Sequence, residues 1–326
     1  MAKRSRRLSI TQQIMQGVDS KLKAKNYPNQ KTYRQFLRHS YAYVRFCRER
    51  FDCCDYESCC RLEYAQSYCD YLKNQGYTAS TIHTYVAAVS VSFDSVKLKD
   101  INKPVRHTAE YIRGRKEKFA PQKSSDLSHE AWKSLVDFNS KVGLRKREIQ
   151  KLTGKNFKQD ESGYWCAEVL RGKGGKYTLN RLNSDEDVEF IRKYFERVGP
   201  DEPVFPPEIF RNHLNLHKLR AQSAKEYYRI QVEKIKENPE YAKQLENEIL
   251  ARWNKYNINP KTQKPRYFDR KNIEGYWVLR GKNREKAKEL GNEGKYLKLA
   301  VMATSVFKLS HWRNDVTIVS YLNTPN

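Results

Sequence analysis

The sequence predicts a mainly helical protein of two domains, with a small antiparallel β-sheet in the second. Three observations lead there. The 326 residues exceed one average domain. Apolar residues in the first hundred positions recur at three- and four-residue steps, the period of a helix. Two short β-rich runs in the second half flank the glycine-rich turn Arg171-Gly172-Lys173-Gly174-Gly175-Lys176. Hydrophobic residues make up 38% of the chain and aromatics 12%, apolar bulk that a disordered chain lacks.

Residues 1–11, with Lys3, Arg4, Arg6 and Arg7, read as a basic arm. A helical domain follows over residues 12–105. In it Tyr33, Phe36, Leu37, Tyr41, Val44 and Phe46 predict a helix over 31–51. A second helix runs over 61–75 and stops at Gly76, and a third spans 79–96 with Ser80 or Thr81 as its cap. Pro104, Pro121 and many basic residues mark a linker, assigned to 106–124.

The second domain covers 125–326. Trp132, Leu135 and Phe138 share one side of a helix over 128–139, and another helix follows Gly143 over 145–152. Residues 164–170 and 177–179 are the two strands of the hairpin. Helices return at 185–197 and 217–236. The segment 229–296 is highly charged, is broken by Pro239 and Pro260, and reads as an insertion of solvent-laced helices. An apolar helix over 297–308 feeds His311. Tyr321 lies on the tail, which is expected to be mobile unless tied down.

Lys and Arg number 63 against 38 Asp and Glu, a formal charge of +25. Such a field attracts polyanions, with nucleic acid the first candidate and an anionic membrane surface the second. No apolar stretch is long enough to span a bilayer, and no apolar run follows the basic N-terminus, so an intracellular protein is expected. Seven cysteines, an odd number, fit a reducing compartment. Cys47, Cys53, Cys54, Cys59, Cys60 and Cys69 lack the C-x2-C pairs of structural zinc sites and read as small hydrophobes, with no metal. The glycine-rich turn lacks the residue order of a nucleotide-binding P-loop.

Four segments contain the candidate chemistry: Gly143-Leu144-Arg145 with Glu148, Lys173 in the turn, His217-Lys218-Leu219-Arg220, and Leu309-Ser310-His311 followed by Tyr321-Leu322. Each has a bland reading. Arg145 and Glu148 make an ordinary i,i+3 ion pair, Lys173 is one lysine of a basic hairpin, and Tyr321 is one of 22 tyrosines.

Taken in order, Arg145, Lys173, His217, Arg220, His311 and Tyr321 resemble the active-site series of the tyrosine recombinases, the phage-type integrases. The run His311-Trp312-Arg313-Asn314-Asp315-Val316-Thr317 is similar to integrases of mobile elements of Gram-positive bacteria. The chain departs from the pattern in Ser310, where the family has glycine, and in the long separation of His217 and His311.

The resemblance implies a clamp. The helical core-binding domain and the α+β catalytic domain would close on double-stranded DNA, held largely through phosphates. Tyr321 would attack a phosphodiester and form a 3′-phosphotyrosyl link. Arg145 and Arg220 would bind the phosphoryl oxygens, His217 and His311 would move protons or donate hydrogen bonds, and Lys173 would protonate the departing 5′ oxygen. The covalent link preserves the bond energy, so no cofactor and no metal are implied. Further implications are a homotetramer on two DNA sites, a directionality factor as a candidate partner, and residence in the bacterial cytoplasm at the nucleoid. The same residues also suit a type IB topoisomerase, and the fold alone suits a non-catalytic DNA-binding regulator.

Overall fold

The computed structural model describes residues 8–26, 30–106, 130–172, 177–211, 214–259, 262–310 and 312–324. The chain divides into two compact units, Met1–His107 and Thr108–Asn326. The architecture is mainly helical, with a small antiparallel sheet of three strands and a separate two-stranded pair, both in the second unit.

The first unit is helical: α1 (Ile10–Ala24), α2 (Gln30–Phe51), α3 (Leu62–Asn74) and α4 (Ala79–Ser92). Helix α1 begins inside the stretch read as the end of the basic arm. Ser9 explains where it starts. Its hydroxyl accepts from the Gln12 amide at 3.3 Å while its own amide donates to the Gln12 side chain at 2.9 Å, a reciprocal cap that satisfies two orphan donors. Ile14, Val18 and Leu22 then fall on one face and are buried. They join Tyr43, Val44 and Cys47 of α2, Tyr68 and Leu72 of α3, and Ile82, Val86 and Val89 of α4 in one core. The α4 cap is Thr78, which accepts from the Thr81 amide at 3.4 Å. The cap sits earlier than the sequence suggests because Ala79 is already helical.

The second unit opens with α5 (Glu130–Val142), the short α6 (Lys146–Ile149) and β1 (Phe157–Gln159), a strand the sequence did not announce. β2 (Trp165–Val169) pairs antiparallel with β1 and with β3 (Thr178–Arg181), in the order β1-β2-β3. Residues 173–176, Lys173 among them, lie outside the described residues. Then come α7 (Asp185–Glu196), capped by Ser184, α8 (Leu216–Glu237) and α9 (Pro239–Tyr256). β4 (Tyr276–Val278), α10 (Gly281–Glu289), β5 (Lys295–Leu297), α11 (Lys298–Ala303) and α12 (Asn314–Thr317) complete the unit. β4 pairs antiparallel with β5. A π-helical turn over Thr304–Leu309 extends α11, and a second over Ile318–Leu322 extends α12. No helix among the described residues is long and apolar enough to cross a membrane.

The charged segment 229–296 begins inside α8, which ends at Glu237. Helix α9 is not laced with solvent on every side. Leu245, Ile249 and Trp253 are buried against Tyr227, Met302 and Phe307. Its charges also work inward. Arg181 on β3 is buried and pairs with Asp160 at 2.7 Å and with Glu248 of α9 at 2.8 Å, its guanidinium resting over the Tyr164 and Phe307 rings. Arg252 of α9 donates to the Leu179 carbonyl at 2.8 Å. Charge alternation in a sequence does not separate an exposed ion pair from a buried one, and a buried pair stands only when fully matched. Ile249→Ala is therefore expected to cost about 2–5 kcal/mol in urea unfolding. A loss under about 0.5 kcal/mol, the range of a surface change, would make α9 peripheral.

Candidate active site

The site is built where α8 begins. Asn215 caps that helix, its side chain accepting from the Lys218 amide at 3.1 Å. The cap fixes the phase of the first turn, so His217 and Arg220 lie one turn apart. Arg220 is 1% exposed, and a guanidinium that deeply buried requires partners. Two carbonyls provide them: Nη1 donates to Gly143, between α5 and α6, and Nη2 donates to Leu309, closing the first π-helical turn, at 2.7 Å.

Gly143 is at φ 71°, in the left-handed region, and a Cβ there would stand 3.1 Å from the Ser223 side chain. Glycine thus meets both the turn and the close approach of α8. Arg145 follows as the residue capping α6. Its amide donates to Glu148 Oε2 at 2.9 Å and its guanidinium to Oε1. Oε2 also lies 3.8 Å from Arg220 Nη1. One buried carboxylate therefore stands between two guanidiniums and offsets part of their repulsion. Burial first, then the Arg145 charge, pull the Arg220 pKa below its ordinary value, with Tyr321 and Glu148 acting against that shift. Arg220 Nε is buried and has no hydrogen-bond partner among the described residues.

Tyr321 lies on the second π-helical turn, 3% exposed, packed with Ala221, Ala224 and Leu309. Its ring is 5.1 Å from the His217 ring, and the Arg220 guanidinium is 5.6 Å from its centroid. The tail is tied rather than loose. Thr324 Oγ1 donates to the Tyr321 carbonyl at 2.9 Å, and Lys225 of α8 donates to the Thr324 carbonyl at 2.7 Å. Tyr296, the nearest other tyrosine along the chain, is buried in β5 beside Tyr228.

Of the six residues read from the sequence, Arg145, His217, Arg220 and Tyr321 come together. Lys173 and His311 lie outside the described residues. Ser310, beside His311, adopts φ 52°, the left-handed conformation in which glycine is at ease and serine is strained. Serine at this position therefore keeps a backbone shape that glycine adopts more easily.

Lys308 was missed. Fully buried, its Nζ donates to the carbonyls of Lys141 at 2.6 Å and Arg181 at 2.9 Å, tying the end of α5 to β3 directly behind the Gly143 turn. Burial lowers its pKa to about 7, with Asp187 opposing the shift and Arg220 and Lys141 adding to it. A neutral amine has two N–H donors, matching the two carbonyls. The sequence signal was one lysine in the apolar run Leu299–Leu309.

The chain matches no protein-family model, and a search of curated proteins finds no match to its sequence.

Lys308 makes stability depend on pH. The group titrates near 7 when folded and near 10.5 when unfolded. Between those values the unfolded chain binds a proton that the folded chain does not, so stability rises with pH across that window. The ceiling is about 1.4 kcal/mol per pH unit. Urea midpoints are expected to climb from about pH 7 to about pH 9, and Lys308→Met is expected to flatten the climb. Above that the buried cysteines, whose thiols burial pushes up, act in the opposite sense. An unchanged slope in that variant would assign the effect to other groups.

Proposed function

We propose that the chain is a DNA strand-transfer enzyme of the tyrosine recombinase kind, with Tyr321 as nucleophile. The observation that carries the reading is the approach of the Tyr321 ring to both His217 and Arg220, with Arg145 joined to Arg220 through Glu148. These residues span positions 145 to 321, and the core alone would not require them to meet.

In this reading the phosphodiester sits against the two guanidiniums. The Arg220 and Arg145 guanidiniums meet the non-bridging oxygens, where negative charge grows in the transition state. The Tyr321 oxygen attacks phosphorus while the bond to the 5′ oxygen breaks. The phenolic proton passes to a base, for which the adjacent His217 ring serves, and Lys173 gives its own proton to the 5′ oxygen. The product is a 3′-phosphotyrosyl link and a free 5′ hydroxyl, and the reverse steps rejoin a strand. The excess of basic residues supports DNA as the partner. The clamp of two domains on duplex DNA, the tetramer on two sites and a role in integrating and excising a mobile element belong to the same proposal.

The test is a nicked duplex whose cleavage releases a short fragment and traps the protein on the strand. Wild type should form a denaturation-resistant adduct, and Tyr321→Phe should form none while retaining DNA affinity within about twofold, since one oxygen is lost. Adduct formation by the Phe variant would move the nucleophile elsewhere.

A further inference from the structure

Cys47 near the end of α2, Cys53 in the connection after it and Cys59 in the 3₁₀ turn before α3 are evenly spaced in sequence but do not resemble a zinc motif. The fold brings all three sulfurs within 4.8 Å of one another, in the core of the first unit. Each is buried, at 0%, 3% and 0% exposure. Cysteines serving as small hydrophobes need only face the core; they need not aim their sulfurs at a common point. A disulfide would employ two of them and leave the third unexplained.

Three sulfurs bound to one zinc at about 2.3 Å stand roughly 3.8 Å apart, so closing this triangle on an ion takes rotations of about an ångström. From this geometry we propose that Cys47, Cys53 and Cys59 form a three-thiolate site for a soft divalent metal ion of the Zn²⁺ class.

The charge and surroundings favour a divalent ion. Three thiols lose three protons on binding, and the resulting −3 is reduced to −1 by a divalent cation, where a monovalent one leaves −2 inside an aromatic core. Tyr43 borders the cluster, its hydroxyl donating to the Cys59 carbonyl at 2.9 Å. No histidine or carboxylate joins the cluster among the described residues, so the fourth position falls to a ligand from outside it, such as water. The bound ion would pin the connection between α2 and α3, whose Tyr56 stacks on Phe93 of the core.

The experiment uses the full-length chain, reduced, stripped of metal and titrated with Co²⁺. The proposal expects one equivalent to bind with the thiolate-to-cobalt charge-transfer absorption of a sulfur-rich four-coordinate site, and one equivalent of Zn²⁺ to displace it. Cys47→Ser and Cys59→Ser should abolish the absorption. Cys54→Ser, exposed nearby, and Cys166→Ser, buried in the other unit, should retain it. The wild-type chain supplies a readout independent of variant folding: Zn²⁺ should raise its melting temperature, since a ligand of the native state stabilises it. A folded wild-type chain that shows neither the absorption nor the rise overturns the proposal, as does absorption that survives in a folded Cys47→Ser, Cys59→Ser double variant.

Discussion

The second unit is organised around the burial of one positive charge. Arg220 cannot stay in the core unless its donors are met, and an unmatched buried guanidinium would cost several kcal/mol. Its partners come from the Gly143 turn, the Leu309 end of a π-helical turn and, at longer range, Glu148. Satisfying that group fixes α8 against the α5–α6 turn and against the segment that leads to Tyr321. Lys308 repeats the device one residue before Leu309, binding carbonyls at the end of α5 and on β3. Two buried basic side chains thus position the backbone from which the site projects.

This arrangement is expensive for a core and suited to an anion. Replacing such networks with apolar residues often leaves a protein as stable or more so, so their presence invites a chemical reason. Glu148 compensates part of the charge of Arg145 and Arg220, while the buried Arg220 Nε keeps a donor unspent among the described residues. A phosphate meeting those groups would complete the network. Tyr321 is held at the same place by its π-helical turn and by the Lys225–Thr324 tie. Under the proposed function, reactivity would be a matter of placement, with Tyr321 seated before any substrate arrives.

Helices α2, α3, α4, α5 and α7 were legible in the sequence, although the face α2 buries carries Tyr43, Val44 and Cys47 while Tyr41 is exposed. Helix α1, which buries Ile14, Val18 and Leu22, was not read as a helix. The β2–β3 hairpin was legible too. β1, β4 and β5 were not, because three residues are too few for an alternation to stand out. The charged helix α9 misled because Glu248 and Arg252 look the same in a sequence whether they face water or Arg181 and Asp160. At the site, ordered motifs pointed to Arg145, His217, Arg220 and Tyr321, and the fold brings these four together. Lys308 escaped notice because it belongs to no motif and its role depends on carbonyls distant in sequence. The mobile tail failed as an expectation because its anchor, Lys225, lies on α8, nearly a hundred positions earlier.

The central claim is that one atom, the Tyr321 hydroxyl oxygen, becomes bonded to DNA phosphorus. Its most direct measurement is the mass of the peptide carrying the nucleotide, after the trapped complex is digested with nuclease and trypsin. Cleavage after Arg313 releases a peptide beginning at Asn314 whose single tyrosine is Tyr321. The account predicts a nucleotide-sized mass increase on that peptide, with fragmentation placing it on Tyr321. A nucleotide found on any other residue, or that peptide recovered unmodified from a genuine covalent complex, would contradict it.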